Sequence, residues 1–200
     1  MFNGLIREIA KVKNYQNNTL SLYAKHKPEL GDSIAVNGAC LSVTRLFEGG
    51  FELELSLETR NNIAYKNLKD FVHIEPALRY ADKIDGHLLQ GHIDGIGRLS
   101  KIQKRENGVD FYITVPSNLM KFMAKKGSVA IDGVSLTINE VFDDSIRLTI
   151  IPISFKETLF KNYELGREVN IESDLIARYL DRIVNFKDKD SLCQRMPYIY

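Results

Sequence analysis

Two short segments carry side chains suited to holding a planar heterocycle: NGACLS at residues 37–42 and DGVSLT at residues 132–137. Alternate residues of a strand share a face, so Cys40 and Ser42 project together, as do Ser135 and Thr137, while Leu41 and Leu136 point the other way. Taken alone, such a cysteine is a small hydrophobe and such hydroxyls bond to nearby backbone. Polar groups recurring at equivalent places between apolar ones favour hydrogen bonding around a flat polar ring in an aliphatic pocket. A thiol in one copy stands where the other has a hydroxyl, so two similarly walled pockets need not do the same chemistry. Ser33 and Ser128 precede the two segments equivalently and are placed to cap a turn.

The stretch RYADKIDGHLLQGHIDG, residues 79–95, adds His87 and His92 among Gly86, Gly91 and Gly95, which permit close backbone approach. One imidazole is suited to bond backbone at the junction, the other to carry a proton near neutral pH. HLLQGH is not a metal motif: it lacks the HExxH pattern and a third convergent ligand, so no metal is expected. His26 and His73 stand outside any motif and are read as structural or solvent-facing. Lys126, Asp132 and Asp174 are charged loop residues of the kind that face water, and Asp174 is placed to cap a helix. No phosphate-binding glycine loop, nucleophile elbow or nucleotide fold is recognisable.

The elements that position these residues are duplicated. At an offset of 95, SIAVNGACLSVTRLF (residues 33–47) overlays SVAIDGVSLTINEVF (residues 128–142), and FELELSLET (51–59) overlays IRLTIIPIS (146–154). VHIE (72–75) pairs with VNIE (169–172) at offset 97, and NGLI (3–6) with QGHI (90–93) at offset 87. Within each unit Leu53, Leu55 and Leu57, or Leu148 and Ile150, alternate with polar residues at the period of a strand. Asn37-Gly38, Asp132-Gly133 and the segment 48–50 supply tight turns. Short strands joined this way predict two tandem antiparallel barrels of about six strands each, over residues 1–87 and 88–172. A short helix is expected after Pro116, with Leu119, Phe122 and Met123 on one face. Over 173–200 a C-terminal helix and a polar tail are expected, the helix over residues 175–184, in which Leu175, Tyr179 and Ile183 form one apolar row and Ile176, Leu180 and Val184 the next. That stripe must be buried on its own barrel or against the same helix of other subunits.

Each half of the 200 residues is near the smallest size that sustains a core, so the halves gain from packing together. Charged residues make up 26% and the formal net charge is +1, which argues against a nucleic-acid surface. The start MFNGLIREIAKV is too short and too charged for a secretory leader, and no stretch reaches membrane-spanning length, so a cytoplasmic protein is expected. Cys40 and Cys193 lie in unlike settings and are read as free thiols. The polar run from Asn185 onward suggests no function.

The chain resembles bacterial riboflavin synthase of the alpha-chain type, a lumazine-binding tandem-barrel family. The resemblance rests on the order and duplication of the start MFNG, VNGACLSVT, GHLLQGHIDG, KKGSVAIDGVSLTINEV and VNIESDLIARYL, and runs to about residue 184. It implies an all-β fold of two tandem six-stranded Greek-key β-barrels with a C-terminal α-helix, and a homotrimer assembled through that helix. The implied reaction is a dismutation in which one 6,7-dimethyl-8-ribityllumazine gives a four-carbon unit to another, yielding riboflavin and 5-amino-6-ribitylaminouracil. It uses neither metal nor cofactor, and the productive site lies between the N-terminal barrel of one subunit and the C-terminal barrel of a neighbour. A non-catalytic lumazine- or flavin-binding protein of the same fold is the alternative. Association with lumazine synthase is the further partner to consider.

Residue by residue, the resemblance carries substrate contact to Gly4, Leu5 and Ile6 at the start, and to Ser33, Cys40, Leu41 and Ser42 in the first barrel. The stretch Glu54, Leu55, Ser56, Leu57, Glu58 and Thr59 matches a strand end that touches ligand. From the second barrel come Gly91, His92 and Ile93, then Lys126, Ser135, Leu136 and Thr137, and the run Ile151, Pro152, Ile153, Ser154, Phe155 and Lys156. Asp174 matches an acidic residue near the productive interface. His92, Ser135 or Thr137 is expected to assist proton transfer, and Cys40 with Ser42 and Ser33 to position the acceptor. Ser42 stands where the family usually has threonine, and residues 58–75 depart most from its pattern.

Overall fold

The computed structural model describes residues 1–190, so Cys193 and the end of the polar tail lie outside the described residues. The first unit comprises β1 (Glu8–Gln16), β2 (Thr19–Tyr23), β3 (Ser33–Val36), β4 (Ala39–Phe47), β5 (Gly50–Glu54) and β6 (Phe71–Pro76). The second comprises β7 (Gly95–Arg105), β8 (Gly108–Thr114), β9 (Ser128–Ile131), β10 (Val134–Val141), β11 (Ser145–Ile150) and β12 (Glu168–Ser173). Both close into antiparallel barrels, in the orders β1-β2-β5-β4-β3-β6 and β7-β8-β11-β10-β9-β12. Even the bulges repeat: the register shifts between Val12 and Asn14 and between Val43 and Arg45 recur between Leu99 and Lys101 and between Ile138 and Glu140. An extra residue there deepens the coil that closure needs.

The period of two decides what each barrel encloses. Leu20, Leu22, Phe51, Leu53, Val72 and Ile74 fill the first, and Leu99, Phe111, Ile138, Ile146, Leu148 and Ile171 the second. The alternation breaks at Leu57, which is 68% exposed and does not extend the strand. Ser56 instead caps α1 (Leu57–Asn62), its Oγ accepting the Thr59 N–H at 3.0 Å. The second unit has α2 (Pro152–Glu157) in the same place, started by a proline at its first turn. The stretch 54–59, expected as a strand end, is therefore strand only at Glu54 and helical from Leu57, and residues 152–156 of the matching run are helical. The helix expected after Pro116 shrinks to a 3₁₀ turn at Met120–Phe122, with Leu119 and Met123 buried.

After the second barrel comes α3 (Leu175–Asp190), whose Ile176 N–H is capped by Asp174 Oδ1 at 2.8 Å. Its apolar stripe does not dock on its own barrel: Ile176, Tyr179, Leu180, Ile183 and Val184 are all more than half exposed. No helix among the described residues is long and apolar enough to cross a membrane.

The barrels meet through a buried polar lattice that pairs equivalent residues. Asn170 donates from Nδ2 to the Asn37 carbonyl at 2.8 Å, and its Oδ1 accepts the Ala64 N–H at 2.7 Å. His73, at the matching place, bonds the Asp132 carbonyl through Nδ1 at 3.0 Å, while its Nε2 accepts the Leu159 N–H at 2.8 Å. An accepting Nε2 leaves the proton on Nδ1, so the imidazole is neutral. Asp132, expected to face water, is only 1% exposed, because its Asp-Gly turn lies at this contact with Gly133 against Gly38. Burial raises its carboxyl to about 6, and it accepts from the Tyr163 hydroxyl and the Asn170 N–H.

Burial lowers His73 to about 4. The unfolded chain, with an ordinary histidine near 6.5, therefore binds the proton first, and the contribution of His73 is full above that pH and is lost as pH falls toward 4. His73→Asn copies Asn170 and removes the titration. Urea unfolding at pH 7 and pH 4.5 is expected to show the variant losing about 2 kcal/mol less than wild type between the two. Equal losses would contradict this reading.

Candidate functional site

The segment that precedes each barrel leaves it and completes the other. Phe2 and Leu89 pair as an antiparallel bridge, with N–H to carbonyl distances of 2.8 and 3.0 Å. Next to them, the Gly91 carbonyl accepts the Cys40 N–H of the first barrel at 2.8 Å, and the Gly4 carbonyl accepts the Ser135 N–H of the second at 2.9 Å. Both glycines have φ of +76°, and a Cβ on either would stand 2.6 Å from Cys40 Cβ or 2.5 Å from Ser135 Cβ. Ile93 packs on the first core and Ile6 on the second. The grouping expected from chain order is thus reversed: residues 91–93 serve the first barrel and residues 4–6 the second.

Two carboxylates hold the exchange in place. Glu75, at the end of β6, accepts the N–H groups of Asn3 and Gly4 at 2.8 and 3.0 Å. Glu172, at the end of β12, accepts those of Gln90 and Gly91 at 2.7 and 3.0 Å. Burial raises Glu172 to about 7, against these donors and the Arg178 charge, which pull it down. Arg178, on α3, also reaches Gln90 Oε1 at 3.1 Å and Asp94 at 3.3 Å, so the base of that helix braces the first pocket.

That pocket is a cavity of about 390 Å³ lined by Ala39 and Cys40 of β4, Glu58, Thr59, Asn62 and Ile63 on and after α1, and Gly91, His92 and Ile93. His92 therefore lies with Cys40 and is not brought to Ser135 within the chain. Ser42 of β4 lies between Ser33 of β3 and Glu54 of β5. Leu41 and Leu55 are almost wholly buried in the first core, behind the pocket wall.

The equivalent face of the second barrel has Ser135 for Cys40 and Leu5 for His92, and by the repeat Ile153 and Ser154 for Glu58 and Thr59. It is the more apolar of the two. Thr137 is exposed opposite Ser128, and Leu136 is half-buried against the core. Ile151, Pro152, Ile153 and Lys156 are exposed, Ser154 and Phe155 half-buried, and Lys126 is exposed with φ of +66°. This face also has a neighbour the first lacks: His87 Nδ1 lies 2.7 Å from Ser135 Oγ. Burial lowers the His87 imidazole, and the Asp174 charge opposes that shift. The two histidines of HLLQGH consequently lie at the equivalent faces of different barrels.

Sequence reasoning did not assign Glu75, Glu172, Asn3 or Asn62 to the site, and gave His87 no pocket. For the glutamates a signal existed: both repeats end their last strand on the same acid, and an acid that recurs there has backbone to hold.

The chain matches the lumazine-binding domain family twice, over residues 3–77 and 90–174. It is 36% identical over 194 residues to the riboflavin synthase of Photobacterium leiognathi, covering 92% of this chain and 89% of that one. Against the riboflavin synthase of Bacillus subtilis strain 168 it is 32% identical, covering 92% and 90% of the two chains. Its fold is similar to LumP solved with riboflavin, at a TM-score of 0.78 and 23% identity over 86% of this chain and 99% of that one. With two closed barrels, a matching duplication and relatives aligned along almost its full length, the chain belongs to the riboflavin synthase family.

Proposed function

We propose that the protein is a riboflavin synthase: it takes two molecules of 6,7-dimethyl-8-ribityllumazine and transfers a four-carbon unit between them, releasing riboflavin and 5-amino-6-ribitylaminouracil. The observation that carries this reading is the presence in one chain of two equivalent pocket faces, completed crosswise, that differ in their polar groups. A reaction between two copies of one molecule needs such a pair. The two products together contain the atoms of two lumazines, so the exchange consumes no oxidant, reductant or water.

In this reading the first pocket uses Cys40, Ser42, Ser33, Thr59 and His92 to hold one lumazine. The second uses Gly4, Ile6, Ser135, Thr137 and Lys126, with Ser154 at its rim. The C7 methyl of one ring loses a proton and C7 of the other accepts the nucleophile, with His92 or the hydroxyls of Ser135 and Thr137 moving the proton and Asp174 at the meeting edge. Holding the rings stacked and opposed supplies much of the acceleration, because alignment is prepaid on binding. The chains meet as a homotrimer through the exposed row on α3, in the cytoplasm, where lumazine synthase is the natural source of substrate.

Incubating the purified chain with the lumazine alone tests this directly. Riboflavin and the pyrimidine should appear in equal amounts, whereas binding without conversion would mark a carrier of lumazine or flavin. Cys40→Ser keeps a polar group of the kind Ser135 supplies in the second copy, and its turnover is expected to fall no more than about tenfold. Loss to background would instead demand chemistry at the thiol.

A further inference from the structure

His87 lies outside the duplicated repeat and carries no role in the reaction described above. Asn3 fixes the loop that presents it, donating from Nδ2 to the Lys83 carbonyl at 3.0 Å and accepting the Gly86 N–H at 2.8 Å. The ring then meets Ser135 through Nδ1 at 2.7 Å, while Nε2 is buried and has no hydrogen-bond partner among the described residues. Those two facts select a tautomer. With the proton on Nε2, a buried N–H would go unpaired, which folded proteins rarely tolerate. With the proton on Nδ1, the N–H is satisfied by Ser135 Oγ and only a lone pair is left over.

We propose that His87 is a positioning residue of the second pocket, donating from Nδ1 to Ser135 Oγ so that the serine hydroxyl hydrogen is committed to the bound lumazine. A serine has one hydrogen and two acceptor positions. Once the imidazole fills an acceptor position, Ser135 is free to donate to the carbonyls and ring nitrogens that make a lumazine edge rich in acceptors. Cys40, the counterpart in the first pocket, offers a thiol, a weak donor, and has His92 in its cavity instead. The proposal rests on the riboflavin synthase reading and adds to it a division of labour: a strong, pre-aimed donor in the second pocket and a softer group in the first.

The molecule itself supplies the test residue. At the barrel interface His73 Nδ1 and Asn170 Nδ2 occupy equivalent places and each bonds the carbonyl of the opposite turn, so an asparagine amide replaces a histidine Nδ1–H in this fold. His87→Asn should therefore keep lumazine turnover within about threefold of wild type. His87→Asp, the same shape without a donor, captures the serine hydrogen for itself, and its kcat/KM should fall about 10- to 100-fold. Equal activity of the two variants would overturn the proposal. So would inactivity of a folded His87→Asn, since that would make the imidazole itself the proton carrier. In a Ser135→Ala background the choice between asparagine and aspartate at position 87 should no longer matter, and a loss on going to aspartate as large as with the serine present would also overturn it. If wild type makes no riboflavin, the catalytic reading fails separately. The hydrogen bond is then read from lumazine affinity, with His87→Asp expected to bind about tenfold more weakly than His87→Asn and equal affinities overturning it.

Discussion

Gly91→Ala is expected to reduce riboflavin formation by about 100-fold or more and to lower stability by about 3 kcal/mol. Two costs combine. The residue sits at φ of +76°, where a side chain strains the backbone, and its Cβ would stand 2.6 Å from Cys40 Cβ and 2.8 Å from Cys40 N. Neither neighbour is the loose end of a flexible side chain, so the strand itself must shift and carry the pocket wall with it. Displacements of about an ångström are enough to cost two orders of magnitude in a reaction governed by alignment. Gly4→Ala should do the same to the second pocket, with contacts of 2.5 and 2.8 Å to Ser135. Gly166→Ala separates the two costs, because its φ is +86° with nothing within 4 Å of a Cβ. It should lose about 1 kcal/mol and no turnover. If Gly91→Ala behaves like Gly166→Ala, the close approach is not what shapes the pocket.

Removing the carboxylates should act on one pocket at a time. Glu172→Ala leaves the Gln90 and Gly91 N–H groups without acceptors and takes one partner from Arg178. An orphaned buried donor costs about 1–3 kcal/mol, and a broken buried ion pair about 3–5 kcal/mol. A loss of about 4 kcal/mol is expected, with the segment released from Cys40. Glu75→Ala releases Asn3 and Gly4 instead, and so disturbs the Ser135 side. Titration with riboflavin followed by its fluorescence should find the first-pocket site missing in Glu172→Ala and the second-pocket site missing in Glu75→Ala. Loss of the same site in both variants would mean that the segments do not serve the barrels crosswise.

The sequence disclosed both barrels because closure depends on local features that repeat: alternating apolar residues, Asn-Gly and Asp-Gly turns, and blocks at fixed offsets. It also singled out the strands bearing Cys40 and Ser135, since alternation puts their polar groups on the face away from the core. The exchange of segments 1–6 and 88–93 was not legible. Gly4 lies four residues before β1, and nothing in its neighbourhood says that its carbonyl bonds Ser135, more than 100 residues away. The α1 helix was hidden for a different reason: Leu57 continues the period of Leu53 and Leu55, and only the capping hydroxyl of Ser56 signals that the strand has ended. Asp132 was misplaced because a charged turn residue normally faces water, and the tertiary contact that buries it belongs to the duplicated turn in the other barrel.

Co-expression of the Glu172→Ala and Glu75→Ala chains asks most directly whether a lumazine held by the first barrel of one chain reacts with one held by the second barrel of another. Each variant alone should be nearly inactive. The mixed assembly should regain turnover well above the sum of the two, because an intact Cys40 pocket on one chain then faces an intact Ser135 pocket on its neighbour. Activity no greater than that sum would contradict a reaction between pockets of different chains.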